Sequence, residues 1–157
     1  MIPEDPAGQK DETARPPVIL TGFWPVEQPV IMVADDEVLV RNLVRILMQA
    51  EGYFVLCAAD GHEGLELSRQ YPGTIDLLIT DLQMPRLNGA DLCAHLLEER
   101  PGIKVLIMSG ADMREIVSHN IHLPFLPKPF DGEALRARVR AILGAPAEPP
   151  AHLLPPA

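Results

Sequence analysis

Five polar residues of this 157-residue chain fall where short apolar runs end. Asp35 and Asp36 follow Val-Ile-Met-Val-Ala, Asp81 follows Ile-Asp-Leu-Leu-Ile-Thr, Ser109 closes the run from Ile103, and Lys128 follows Phe125–Pro127. Read as strands of one open α/β sheet, these runs put all five residues at the carboxyl edge, where such sheets bind ligands. Three carboxylates gathered there repel one another, and one would have to take a proton unless positive charge joined them. Hard oxygen donors with open positions suit Mg2+, which keeps several waters and commonly uses one or two carboxylates plus substrate phosphate. Lys128, one of three lysines in the chain, adds a second positive charge. A cation, a lysine and a hydroxyl around an aspartate are what phosphoryl transfer requires, and the carboxylate itself can be the nucleophile, giving an acyl phosphate. Singly, each residue also has a plain role: an acid pair as a helix cap, Ser-Gly as a turn. Their order along one sheet edge is what carries the chemistry.

The elements that must position them are legible in the periodicity. Strands are expected at Val30–Ala34, Tyr53–Ala58, Ile75–Thr80, Ile103–Met108 and Phe125–Pro127. Between them run helical patterns with apolar spacings of three and four, such as Val40, Leu43, Val44 and Leu47, or Leu135, Val139 and Ile142. Asp60 with Glu63, and Asp112 with Glu115, read as helix starts. Gly52 and Gly144, and the Pro-Gly pairs after Tyr71 and Arg100, read as helix ends. Five βα repeats with strands apolar on both faces predict a parallel sheet covered by helices, a doubly wound three-layer (βα)5 sandwich.

Composition bounds the rest. With 47% apolar and 22% charged residues the chain reads as one globular domain with tails. Of its 17 prolines, 11 lie in residues 1–29 and 145–157, so residues 1–28 are expected to be a Pro-rich, partly disordered extension, 29–144 the domain and 145–157 a Pro/Ala-rich tail. Within the first extension, Phe23 and Trp24 are apolar enough to be expected to pack on the domain or a second copy. No apolar run approaches the length of a membrane span and the acidic start does not resemble a secretory signal, so a cytoplasmic location with no membrane partner is expected. A net charge of −9 disfavours a nucleic-acid surface. Cys57 and Cys93 read as buried apolar residues, and His95, His119 and His122 as ordinary helix and loop residues without a metal partner set.

The acid pair Asp35-Asp36, the stretch Asp81-Leu-Gln-Met-Pro-Arg-Leu-Asn-Gly89, Ser109-Gly110 and Lys128-Pro129-Phe130 together resemble the receiver domain of two-component response regulators, over roughly residues 29–143. The resemblance implies a flavodoxin-like fold with strand order 2-1-3-4-5. It implies that Asp81 accepts a phosphoryl group from a histidine kinase or histidine phosphotransfer protein. Mg2+ would be held by Asp36, Asp81 and the backbone carbonyl of Gln83, with Asp35 acting through water. Lys128 would contact the phosphoryl oxygen, Ser109 would turn inward to it, and Phe125 would hold the aromatic switch position.

Two features depart from the family pattern. Phe125 lacks a phenol hydroxyl, so any reorientation rests on packing alone. The 19-residue step from Ser109 to Lys128 is shorter than usual and contains Pro124, so the fourth helix is expected to be short or partly unwound. The reading is thus a phosphorylatable switch, not an enzyme beyond its own aspartyl phosphorylation and dephosphorylation. Its output face would be the fourth helix, fifth strand and fifth helix, where Arg136, Arg138 and Arg140 could meet an unidentified downstream protein or a second copy. A phosphate sink or unphosphorylated scaffold is the alternative. An aspartate-nucleophile Mg2+ phosphatase fits less well, because its nucleophile would follow the first strand. With 14 residues after Leu143, no attached DNA-binding domain is expected.

Overall fold

The computed structural model describes residues 28–110 and 123–144. Their order is β1 (Val30–Ala34), α1 (Val38–Ala50), β2 (Phe54–Ala58), α2 (Gly61–Gln70), β3 (Leu77–Asp81), α3 (Gly89–Glu99), β4 (Lys104–Ser109), β5 (Phe125–Pro127) and α4 (Gly132–Leu143). The strands form one parallel sheet in the order β2-β1-β3-β4-β5, the doubly wound arrangement expected. The helix expected after Asp112, the two terminal extensions, Phe23 and Trp24, and His119 and His122 lie outside the described residues. Among the described residues no helix is long and apolar enough to cross a membrane.

Because successive strand residues point to opposite faces, each central strand feeds two cores. Ile31, Val33, Leu77, Ile79, Leu106 and Met108 pack with Val44 and Met48 of α1 and Leu135 and Val139 of α4. Met32, Ala34, Leu78, Val105 and Ile107 pack on the other face with Leu65 of α2 and Leu92 and Leu96 of α3. Cys57 contacts the first layer and buried Cys93 belongs to the second, so the two thiols are separated by the sheet.

β1 and β5 have the expected bounds, while β2, β3 and β4 shift by one or two residues, with visible causes for the starts of β2 and β3. Tyr53 is not in β2: its N–H donates to Met48 O at 3.1 Å, closing the end of α1. Ile75 precedes β3 because Asp76 is tied to the start of β1, its N–H donating to Val30 O at 2.8 Å and its Oδ2 accepting from Val30 N at 2.7 Å. Asp81 and Ser109 still pair in register with the neighbouring strands and are therefore the last residues of β3 and β4 rather than the first residues beyond them.

The helix signals hold where they can be seen. Asp60 caps α2 by accepting from Glu63 N–H at 2.8 Å, and Asn88 and Asp131 cap α3 and α4 in the same way. Gly52 has a positive φ of 93° where the chain turns after α1, a conformation open to glycine at little cost.

Candidate functional site

Asp35, Asp36 and Asp81 converge at the carboxyl edge of β1 and β3, with one carboxylate oxygen from each within 4.8 Å of the others. Their surroundings differ. Asp35 is fully buried; its Oδ1 accepts from Glu37 N–H at 2.9 Å and its Oδ2 from Lys128 Nζ at 2.8 Å, while its carbonyl accepts from Arg41 at 2.7 Å. Asp36 is exposed. Asp81 is buried, accepting from Lys128 Nζ at 3.0 Å on Oδ2 and from Gln83 N–H at 3.3 Å on Oδ1.

Lys128 reaches this place from β5, whose three residues pair with the end of β4; its own N–H donates to Ser109 O at 2.9 Å, which fixes the side chain over the acids. A third acceptor is Glu37 Oε1 at 3.3 Å. Burial works against the ammonium, but the hydrogen bonds and charges of Asp35 and Asp81 outweigh it and hold Lys128 protonated well above the ordinary lysine range. For Asp35 burial wins: despite Lys128 and the Glu37 N–H, its carboxyl is pushed above the ordinary value of 3.8.

These groups open onto a pocket of about 680 Å3 lined by Asp36, Glu37, Asp81, Gln83, Ser109 and Lys128, with Val40, Leu43 and Phe130 forming an apolar wall. Six of the seven residues singled out in the sequence therefore meet at one edge: Asp35 behind Lys128, the others on the pocket wall. Phe125 does not line it. It is half-buried against the α2–α3 core, paired in register with Ile107.

Sequence reasoning missed Glu37 and the apolar wall. Glu37 could have been found as the third of three consecutive acids; Leu43 and Phe130 carry no signal that separates pocket lining from core.

Gly89 lies against the backbone of Asp81. A Cβ there would collide with Asp81 O, so only glycine lets α3 start this close to β3. Its N–H donates to Leu82 O at 2.9 Å.

The donor set fits a divalent cation of the magnesium class: all oxygen, anionic, and open on the solvent side through Asp36. Asp36 and Asp81 line the pocket and Asp35 does not; both oxygens of Asp35, like both of Asp81, accept hydrogen bonds.

Residues 31–140 match the family model of the response regulator receiver domain. The chain is 35% identical over 150 residues, 85% of this chain and 58% of the relative, to the alkaline phosphatase synthesis transcriptional regulatory protein SphR of Synechococcus elongatus. It is 33% identical over 115 residues, 72% of this chain and 48% of the relative, to the transcriptional regulatory protein CpxR of Escherichia coli. It thus spans about half the length of these curated relatives. Among solved structures, the response regulator protein TrrA of Thermotoga maritima, in complex with Mg2+ and BeF, superposes with a TM-score of 0.64 at 25% identity, covering 74% of this chain and all of that one. Sheet order, site and sequence similarity agree, and the chain belongs to the response regulator receiver domain family.

Proposed function

We propose that this receiver takes a phosphoryl group onto Asp81 from a phosphohistidine on a histidine kinase or histidine phosphotransfer protein. The observation that carries the reading is the placement of Lys128 Nζ 3.0 Å from the carboxylate of Asp81, at the mouth of an open pocket and beside two further acids. In the reaction one Asp81 oxygen forms a bond to phosphorus as the phosphorus–nitrogen bond of the donor breaks, its electron pair leaving with the imidazole. Lys128 then has a phosphoryl oxygen to donate to, and Ser109 on the same wall can donate a second hydrogen bond. Mg2+, held by Asp36, Asp81 and the Gln83 carbonyl with Asp35 acting through water, would supply the charge that offsets three acids and a phosphoryl group. In this role the chain is a signalling protein and not a classical enzyme.

Output would pass through the face that includes β5 and α4, with Ser109 and Phe125 as switch residues and a protein partner or second copy as the reader. The expectation of no nucleic-acid partner applies to the receiver alone, because the matched relatives SphR and CpxR are transcriptional regulatory proteins longer than the matched region. The test is incubation with phosphoramidate and Mg2+ followed by intact mass. The wild type should gain one phosphoryl group and Asp81→Asn should gain none; an equal adduct in the variant refutes the assignment.

A further inference from the structure

Arg86, between Pro85 and Leu87 in the loop that follows β3, has a φ of 67°. The left-handed region disfavours every residue with a Cβ except, mildly, Asn and Asp, so an arginine there needs an external hold. The hold is visible. Arg86 Nε donates to Asp60 Oδ2 at 2.7 Å, and a terminal guanidinium nitrogen approaches the same oxygen at 2.5 Å. Asp60 is buried and caps α2 through its other oxygen, so it cannot follow a moving loop. Burial would raise its carboxyl, but the Glu63 N–H and the Arg86 guanidinium reverse this and keep it below the ordinary range, charged and paired.

A backbone clasp lies beside the ion pair. Gly61 N–H donates to Leu87 O at 3.1 Å, and a Cβ on Gly61 would sit 2.2 Å from that oxygen. The other end of the loop is the site itself: Gln83 N–H donates to Asp81 Oδ1 at 3.3 Å, and Gly89 N–H to Leu82 O at 2.9 Å. Residues 82–88 are therefore a short bridge with one foot on the acceptor aspartate and the other on the start of α2.

We propose that Arg86 is a positioning residue for the cation site, acting through its ion pair with Asp60 to fix the backbone at Gln83 and the carboxylate of Asp81. The inference rests on the reading of Asp36 and Asp81 as divalent-cation ligands. Groups that orient metal ligands without touching the metal typically contribute tenfold or more to affinity.

The experiment measures the Mg2+ dissociation constant of the full chain by isothermal titration, with thermal melts of the cation-free proteins alongside. Two variants remove the pair by different routes. Arg86→Gly deletes the guanidinium while supplying the residue best suited to the positive φ. Asp60→Asn keeps an N-cap acceptor for Glu63 N–H and removes the charge. Each should weaken Mg2+ binding by about tenfold, the double variant should be no worse than either single one, and Arg86→Lys should recover part of the loss. Melting temperatures should not follow the same order, since glycine at this φ favours the fold. If the wild type binds Mg2+ and both single variants bind it equally well, the positioning role is overturned and the cation reading stands. If the wild type binds no Mg2+, both fall. Losses that add in the double variant also overturn the proposal, because they would mean that the two residues act separately.

Discussion

The ammonium of Lys128 donates to the fully buried carboxylate of Asp35 at 2.8 Å, across 93 residues of chain. The pair joins the end of β1 to the end of β5, so the edge strand β5 is fastened by charge as well as by its short ladder to β4. Its two members respond to pH in different windows. Lys128, with a raised pKa, contributes stability that is complete below its ordinary value of 10.5 and is lost only at higher pH. Asp35, also raised, binds its proton more readily folded than unfolded, so its ionisation costs stability as pH climbs above the ordinary carboxylate value of 3.8.

Asp35→Asn removes that cost while leaving an acceptor for Lys128. In the absence of divalent cation, the melting temperature of the variant relative to wild type should be highest near neutrality and should decline as pH falls from about 7 to about 4. A difference that does not change with pH would show that Asp35 titrates normally.

Asp36 is the exposed member of the acid cluster and the one most available to a cation. Asp36→Ala should lower the rate of phosphoramidate labelling at fixed Mg2+ by at least about tenfold, and chelation should reduce the wild type to the level of the variant. Rates read from intact mass against time settle it; labelling that resists chelation would remove the cation from the reaction.

Gly89→Ala places a methyl group where Asp81 O already is. Backbone must yield on one side or the other, at about 1–3 kcal/mol by the scale of overpacked sites, and labelling of Asp81 should slow with it. Gly102→Ala is the control: nothing lies within 4 Å of its added Cβ, and its backbone is not left-handed, so denaturant midpoint and labelling rate should stay close to wild type.

Glu51, at the end of α1, accepts from Arg140 at 2.6 Å and lies 3.4 Å from Arg136. Two of the three arginines that read as an open partner surface are thus engaged within the chain, which leaves Arg138 as the better candidate for outside contact. Glu51→Gln should lower the melting temperature at low salt, and the loss should shrink in high salt as screening weakens what the glutamate supplied. No effect at either salt concentration would mean that the pair is ornamental in solution.

The acids and the lysine of the site were legible because a parallel sheet forces strand termini to one edge, and apolar runs show where strands end. Asp81 and Ser109 were placed one residue outside their strands, since alternation cannot say whether the last polar residue still pairs with its neighbour. Gly89 was visible in a motif, yet its reason, the carbonyl of Asp81 lying against it, is a matter of approach between chain segments. Arg86 with Asp60 and Arg140 with Glu51 left no trace. Each joins a half-exposed arginine to a largely covered acid, 26 and 89 residues apart, and nothing in local periodicity marks which charge will find which.

Arg100, where α3 ends, gathers four acceptors at once: Ser68 Oγ and O, Tyr71 O and Gly73 O, all at 2.7–2.8 Å. Arg69 adds a bond to Glu99 beside it. The α2 and α3 flank is thereby joined by polar bonds as well as by its apolar core, whereas among the described residues the ion pairs between the end of α1 and α4 all run through Glu51. Loss of Glu51 alone would therefore remove every one of those ion pairs and leave α1 and α4 joined through their shared apolar layer.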